Sequence, residues 1–181
     1  MESLDYGVIG NGKTAALISS KGSIEWLCLP SFDSPSVFAR ILDKNKGGYF
    51  GIEVNKDYVT NQRYIKNTNI LSTSFVSSEG SFELIDFMPR YRTGDNDYYI
   101  PSEVYRFIRY VNGAPRFKIN YRPAMNYAAD TSVNESFPKF IKTISSANGR
   151  DNMFLYSSLK ADAILNETEI TLEKDEFLLL S

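Results

Sequence analysis

The chain holds no histidine and one cysteine, Cys28, so carboxylates are the residues left to carry acid–base chemistry. Without imidazole, the Ser-His-Asp and Cys-His arrangements are excluded, as are the usual nitrogen ligands of a metal. A single thiol excludes an internal disulfide and a cysteine-based zinc site. Four carboxylates stand out: Glu25, Asp33, Glu83 and Asp86. A glycosidase needs two carboxyls facing each other across a cleft, about 5–10 Å apart. Spacing along the chain does not bring any two of these four together. Glu25 lies between Ile24 and Trp26, the pattern of a solvated strand position. Glu83 and Asp86 read as surface charges or strand-end hydrogen-bond groups. Asp33, in "FDSPSVF", is placed either to cap a helix, worth about 1 kcal/mol, or to face a ligand or an interface.

The surrounding stretch, Ile24 to Phe38, "IEWLCLPSFDSPSVF", also carries the only Trp and two prolines. Trp26 is a candidate sugar-stacking ring, although a lone Trp in a β-rich chain is more often core. Cys28 alternates in phase with Trp26, which puts both on one side of a strand. A buried lone thiol usually packs and does not attack. "GNGK" at residues 10–13 lacks the full phosphate-loop spacing and reads as a turn. No cofactor and no metal is expected.

The elements that must position these residues are mostly strands. "TAALISSKGSIEWLCL" reads as two strands around Ser20-Lys21-Gly22-Ser23, and "LSTSFVSSEGSFELIDFM" as two around Ser78-Glu79-Gly80. "EVYRFIRYVNGAPRFKINYRP" repeats the design with Asn112-Gly113 at the turn, where positive φ is tolerated. "KFIKTISSANGRDNMFLYSSL" and "AILNETEITLEKDEFLLL" follow, each with a polar break between apolar runs. Short strands at regular spacing predict a mainly β chain, an antiparallel β-sandwich with one or two short helices. The best helix candidate is Pro35 to Asp43, with Asp33 or Ser34 as cap. Residues 91–102, "YRTGDNDYYIPS", read as a long loop.

A chain of 181 residues, 43% hydrophobic and 23% charged, suits a single domain over 1–181. A net charge of −2 supplies no field to attract nucleic acid or an anionic membrane. No apolar run approaches the roughly 20 residues needed to cross a bilayer. The N-terminus lacks the basic-then-apolar order of a signal peptide, which makes a cytoplasmic location the expectation. The sequence stops on "EFLLLS", an apolar run that reads as the inside of a strand and suggests a fragment.

"YGVIGNGKTAALISSKGSIEWLCLPSFDSPSVFARILD" resembles the opening of prokaryotic glucoamylase and trehalase-like proteins of glycoside hydrolase family 15. The resemblance continues through "GGYFGI", "RYIKNTNILSTSF", "LIDFMPR", "YRPAMNYA", "FLYSSLKADAIL" and "EFLLLS". It implies a supersandwich-like N-terminal domain followed, in the parent enzyme, by a catalytic (α/α)6 barrel. That barrel carries two glutamates, acts with inversion on starch, malto-oligosaccharides or trehalose, and needs no metal. The catalytic glutamates have no counterpart here, so none is carried over, and this segment alone is expected to be inactive. The implied partner is the barrel of the same polypeptide, with α-glucan or trehalose as possible ligands. Trp26, Pro30, Phe32, Asp33, Ser34 and Pro35 mark the sandwich domain and are candidates for the substrate entrance or the domain interface. The competing readings are a carbohydrate-binding module with a row of exposed rings and a free-standing interaction sandwich. An apolar docking face left uncovered predicts self-association of the isolated chain.

Overall fold

Residues that alternate between apolar and polar pair into sheets, and almost every run of that kind here does so. The structure, a computed structural model, describes residues 5–146 and 151–181. The first strands are β1 (Tyr6–Gly10), β2 (Ala15–Ser19), β3 (Ile24–Cys28), β4 (Ser36–Phe38) and β5 (Tyr49–Glu53). Then come β6 (Val59–Tyr64), β7 (Leu71–Val76), β8 (Gly80–Phe87), β9 (Tyr91–Arg92) and β10 (Tyr98–Tyr99). The second half holds β11 (Val104–Gly113), β12 (Arg116–Arg122), β13 (Ser132–Ser136), β14 (Phe140–Ser145) and β15 (Asn152–Ser157). A short helix, α1 (Ala161–Leu165), precedes β16 (Ile170–Thr171) and β17 (Glu176–Leu180).

Two antiparallel sheets form the sandwich. One runs β1-β2-β3-β5-β12-β16, with β4 added to β3. The other runs β13-β14-β15-β17-β11-β8-β7-β6. Their facing sides bury Ile18, Ile24, Leu27, Phe50, Phe117 and Ile119 from the first sheet against Phe75, Phe82, Leu84, Ile108, Leu155 and Leu178 from the second. The rings of Phe82 and Phe117 meet across the interlayer at 5.1 Å. Each such side chain contributes about 1.5–3 kcal/mol on burial, so this layer is what holds the sheets together.

The hairpins β2–β3, β7–β8 and β14–β15 form as the sequence predicts. The apex of the last falls on residues 147–150, outside the described residues. The third predicted hairpin does not form. β11 pairs with β8 and β17, whereas β12 pairs with β5 and β16, so Asn112-Gly113 carries the chain from one sheet to the other. Gly113 has the expected φ of 71°. The turn residues set the local bend but not the partner, which long-range burial decides.

Two further expectations are corrected. Pro35 to Asp43 is not a helix: Ser36, Val37 and Phe38 are consecutive buried residues, paired with β3. Three consecutive buried residues do not fit the one-sided apolar stripe of a surface helix. The stretch then turns back, held by Ala39 N–H on Gly47 O at 2.6 Å. A Cβ on Gly47 would lie 2.2 Å from the Ala39 carbonyl oxygen. The helix lies instead at Ala161–Leu165, where two buried residues, Ala161 and Ile164, stand three apart on one face. Residues 91–102 are not wholly loop, since β9 and β10 pair within them.

Candidate functional site

The sandwich has a cavity of about 610 Å³ at the end where β3, β12 and β17 finish and β11 and β15 begin. One wall is the segment after β3, lined by Pro30, Ser34, Pro35, Ser36 and Val37. The opposite wall comes from Met125, Asn126 and Asp130, after β12, and from the start of β15. The two walls are tied together: Ala124 N–H donates to Val37 O at 3.0 Å and Tyr127 N–H to Ser36 O at 3.5 Å.

Residues 29–35 are held in a fixed path. Phe32 N–H donates to Lys13 O at 3.1 Å, and Ser34 N–H donates to Ser31 O at 3.1 Å. The Ser102 hydroxyl donates to Pro30 O at 2.9 Å. Asp33 caps no helix; its Oδ1 accepts the Ser31 hydroxyl at 2.6 Å. That hydrogen bond, then one from its own backbone, lowers the Asp33 carboxyl below its ordinary value. It stands ionised in solvent at the tip of the turn. Phe32 beside it is 62% exposed, a large apolar ring with nothing over it.

Trp26 is not in the core. Glu25 bulges out of the β2–β3 register, so Ile24 and Leu27 both reach the interlayer while Trp26 faces outward with Leu17. Trp26 is half-buried, its ring 6.4 Å from that of Tyr127. Tyr127 belongs to a feature no propensity signals. Asn126, Tyr127 and Ala128 all have positive φ, at 53°, 55° and 61°. A left-handed turn of non-glycine residues costs roughly 1–2 kcal/mol per residue and persists only where its surroundings hold it. Asn126 is the one residue of the three whose type hints at it.

Of the six sequence-marked residues, Pro30, Ser34 and Pro35 therefore gather at the cavity, Phe32 and Asp33 project beside it, and Trp26 does not line it, lying 6.4 Å from the ring of Tyr127, which follows the wall residue Asn126. The Ser36 hydroxyl, fully buried in the cavity wall, has no hydrogen-bond partner among the described residues. "GNGK" is a turn as read: the Asn11 side chain accepts from Lys13 and Thr14 N–H and donates to Pro101 O at 2.7 Å.

The carboxylates do not assemble an acid–base pair. Asp86 is no surface charge. It is fully buried between the sheets, its Oδ1 2.8 Å from Arg106 Nε and its Oδ2 3.2 Å from Arg106 Nη2. Burial pushes the Asp86 carboxyl up, and the guanidinium pulls it back. A raised carboxyl suits a general acid, but both oxygens of this one are occupied and no substrate reaches it. Glu83 lies on the outer side of the same strand, paired with Arg109. Glu25 accepts the Tyr6 hydroxyl at 2.7 Å. Among the described residues no three carboxylate or thiol side chains converge on a position that could hold a metal.

Comparison with known proteins gives this geometry a context. A family model described as "Trehalase-like, N-terminal" matches residues 4–157. A trehalase of Thermoplasma volcanium is 40% identical over 133 residues, which cover 72% of this chain and 21% of that protein. Trehalase 2 of Sulfolobus acidocaldarius is 39% identical over 133 residues, covering 74% of this chain and 20% of its own. A trehalase of Mycobacterium tuberculosis is 30% identical over 139 residues, covering 68% and 20%. The chain thus spans about a fifth of the length of the curated relatives it matches. No solved structure matches it.

Proposed function

This chain belongs to the trehalase-like N-terminal domain family, and from that premise we propose that it is the non-catalytic first domain of an inverting α-glucoside hydrolase whose substrate is trehalose. The observation that carries the reading is the family match over residues 4–157 together with relatives that are trehalases about five times its matched length. The resemblance to glycoside hydrolase family 15 supplies the rest. A barrel beyond this segment carries the two glutamates, one protonating the leaving oxygen and the other activating water on the opposite face. The sandwich supports that barrel and shapes its entrance. Malto-oligosaccharides and starch are the alternative substrates, and the cytoplasm is the proposed place of work.

Two features support placing residues 30–35 at the junction with the barrel. They form a rigid, hydrogen-bonded projection, and they present an exposed Phe32 and an ionised Asp33 next to a cavity. The test is made on the full-length polypeptide. Glucose release from trehalose, maltose and soluble starch is measured, with the anomer of the first product read by NMR. Hydrolysis of trehalose with β-glucose as one product is expected. Release from maltose or starch alone moves the assignment to a glucoamylase, and no release from any of them removes it. Asp33→Ala is expected to lower turnover or loosen domain docking; a variant unchanged in both takes the loop out of the junction.

A further inference from the structure

The outer side of the eight-stranded sheet is divided in a way a solvated face is not. Side chains directly opposite each other across strands share a face. Reading the register across five strands gives one unbroken row: Phe140 on β14, Tyr156 on β15, Leu179 on β17, Tyr105 on β11 and Phe87 on β8. A second row beside it runs Phe177, Phe107, Ile85. At strand spacing the first row is about 20 Å long. The next row is polar: Arg109, Glu83, Ser74, Asn61. The apolar rows also stop at β8, where Ser72 of β7 and Arg63 of β6 continue the second one. Phe177 is 45% and Tyr156 39% exposed. The outer side thus carries a largely polar half, ended by the exposed cross-strand pair Val59 and Val76, and a half-exposed aromatic half.

We propose that this aromatic half is the surface on which the remainder of the polypeptide docks, the four-fifths of a trehalase-length chain that the family's N-terminal designation puts after this segment. The inference rests on the reading given under Proposed function and names the face that reading requires. Two observations select this occupant. Leu179 sits in the row, and Ser181 pairs with Phe154 through 2.9 Å hydrogen bonds in both directions, so a chain continuing from Ser181 starts at the edge of the face, beside the cavity. Such a tethered partner meets the surface at a high effective concentration. The rings also suit packing better than sugar stacking. Phe87 and Tyr105 lie parallel within 11° at 5.0 Å, and Phe137 and Phe140 within 15° at 4.6 Å. Their faces are spent on each other, and side chains standing off a sheet then present edges outward.

The test uses the full-length protein, its Phe177→Lys and Tyr156→Lys variants, and Ser74→Lys on the polar half as control. Phe177 and Tyr156 are exposed here, so neither change breaches the interlayer. In the parent, one cooperative thermal transition and protection of Phe177 and Tyr156 from carbene labelling are expected. The two variants are expected to split the transition in two and to expose the linker to protease, whereas Ser74→Lys leaves both unchanged. Variants that melt and resist protease as the parent does overturn the proposed face, and retained trehalose hydrolysis in them leaves the functional reading standing. Two further outcomes overturn the occupant: a dimer of the full-length protein that Phe177→Lys dissociates, meaning a second copy, and saturable trehalose or maltoheptaose binding abolished by Tyr156→Lys, meaning a sugar platform. A parent protein inactive on every α-glucoside removes the functional reading instead, whatever its melting shows.

Discussion

Arg106 is a fully buried guanidinium that holds both sheets at once. It pairs with Asp86 of its own sheet and donates to two carbonyls of the other, Phe50 O at 2.6 Å and Gly22 O. Its cationic face also lies 4.7 Å from the Phe50 ring. Arg106→Met leaves Asp86 charged and unpaired in the interlayer, and a loss of about 3–5 kcal/mol in urea unfolding is expected. Removing both charges, Arg106→Met with Asp86→Leu, is expected to recover most of it. The single variant should suffer least below pH about 4, because a carboxyl raised by burial is folded most cheaply when protonated. A penalty that grows as pH falls would contradict that sign. Glu167 behaves oppositely. Its carboxylate receives Arg122 Nε and Nη2 at 2.7 and 2.8 Å, which holds it below the ordinary 4.5. The stabilisation is present above pH 4.5 and lost as pH drops through the lowered value. Both side chains are partly in water, so Glu167→Gln is expected to cost no more than about 1 kcal/mol at pH 7 and nothing at pH 2, in a urea midpoint series.

Among the elements, the left-handed turn at 126–128 invites a direct measurement. Ala128 has a φ of 61° and is bound by its N–H to Ala124 O at 3.2 Å. Ala128→Gly removes the steric penalty and is expected to stabilise by up to about 1 kcal/mol in a thermal melt. A loss of stability would mean that the unfolded chain's added freedom outweighs the relief of strain. Local signals served some elements well and others not at all. Ser20 to Ser23 and Ser78 to Gly80 named their hairpins because the turn and the pairing are contained in one stretch. Asn112-Gly113 misled because β12 finds its partner in β5, far back in the chain. Pro35 misled because a capped start looks the same whether a helix or a buried three-residue strand follows. The site was half legible. Pro30, Ser34 and Pro35 were marked by their types and do meet at the cavity, but the wall facing them depends on backbone angles that Tyr127 and Ala128 do not advertise. The Glu25 bulge moved Trp26 out of the core by shifting a two-residue period that sequence alone treats as unbroken. Arg106 had a signal that went unread, an arginine in phase with Val104 and Ile108, whose alternation pointed it inward.

At the scale of the whole molecule, an uncovered aromatic face is expected to make the segment 1–181 by itself adhesive. Concentration-dependent association in sedimentation velocity is expected, and Phe177→Lys should weaken it. A monomer at high concentration would mean the face is too small to act without its tether. The strand order carries a separate consequence. β17 lies between β15 and β11, so the strand of this sandwich that comes latest in sequence is the keystone of the larger sheet. Before residues 176–180 emerge, β13-β14-β15 and β11-β8-β7-β6 are two separate ribbons with raw edges. On a ribosome adding about 5–20 residues per second, the β11 edge stands open while everything from β11 to β17 is made, roughly 4 to 15 s, and the β15 edge for about 1 to 5 s. That interval is the molecule's most vulnerable, when another nascent chain's strand can fill the slot that its own final strand is meant to occupy.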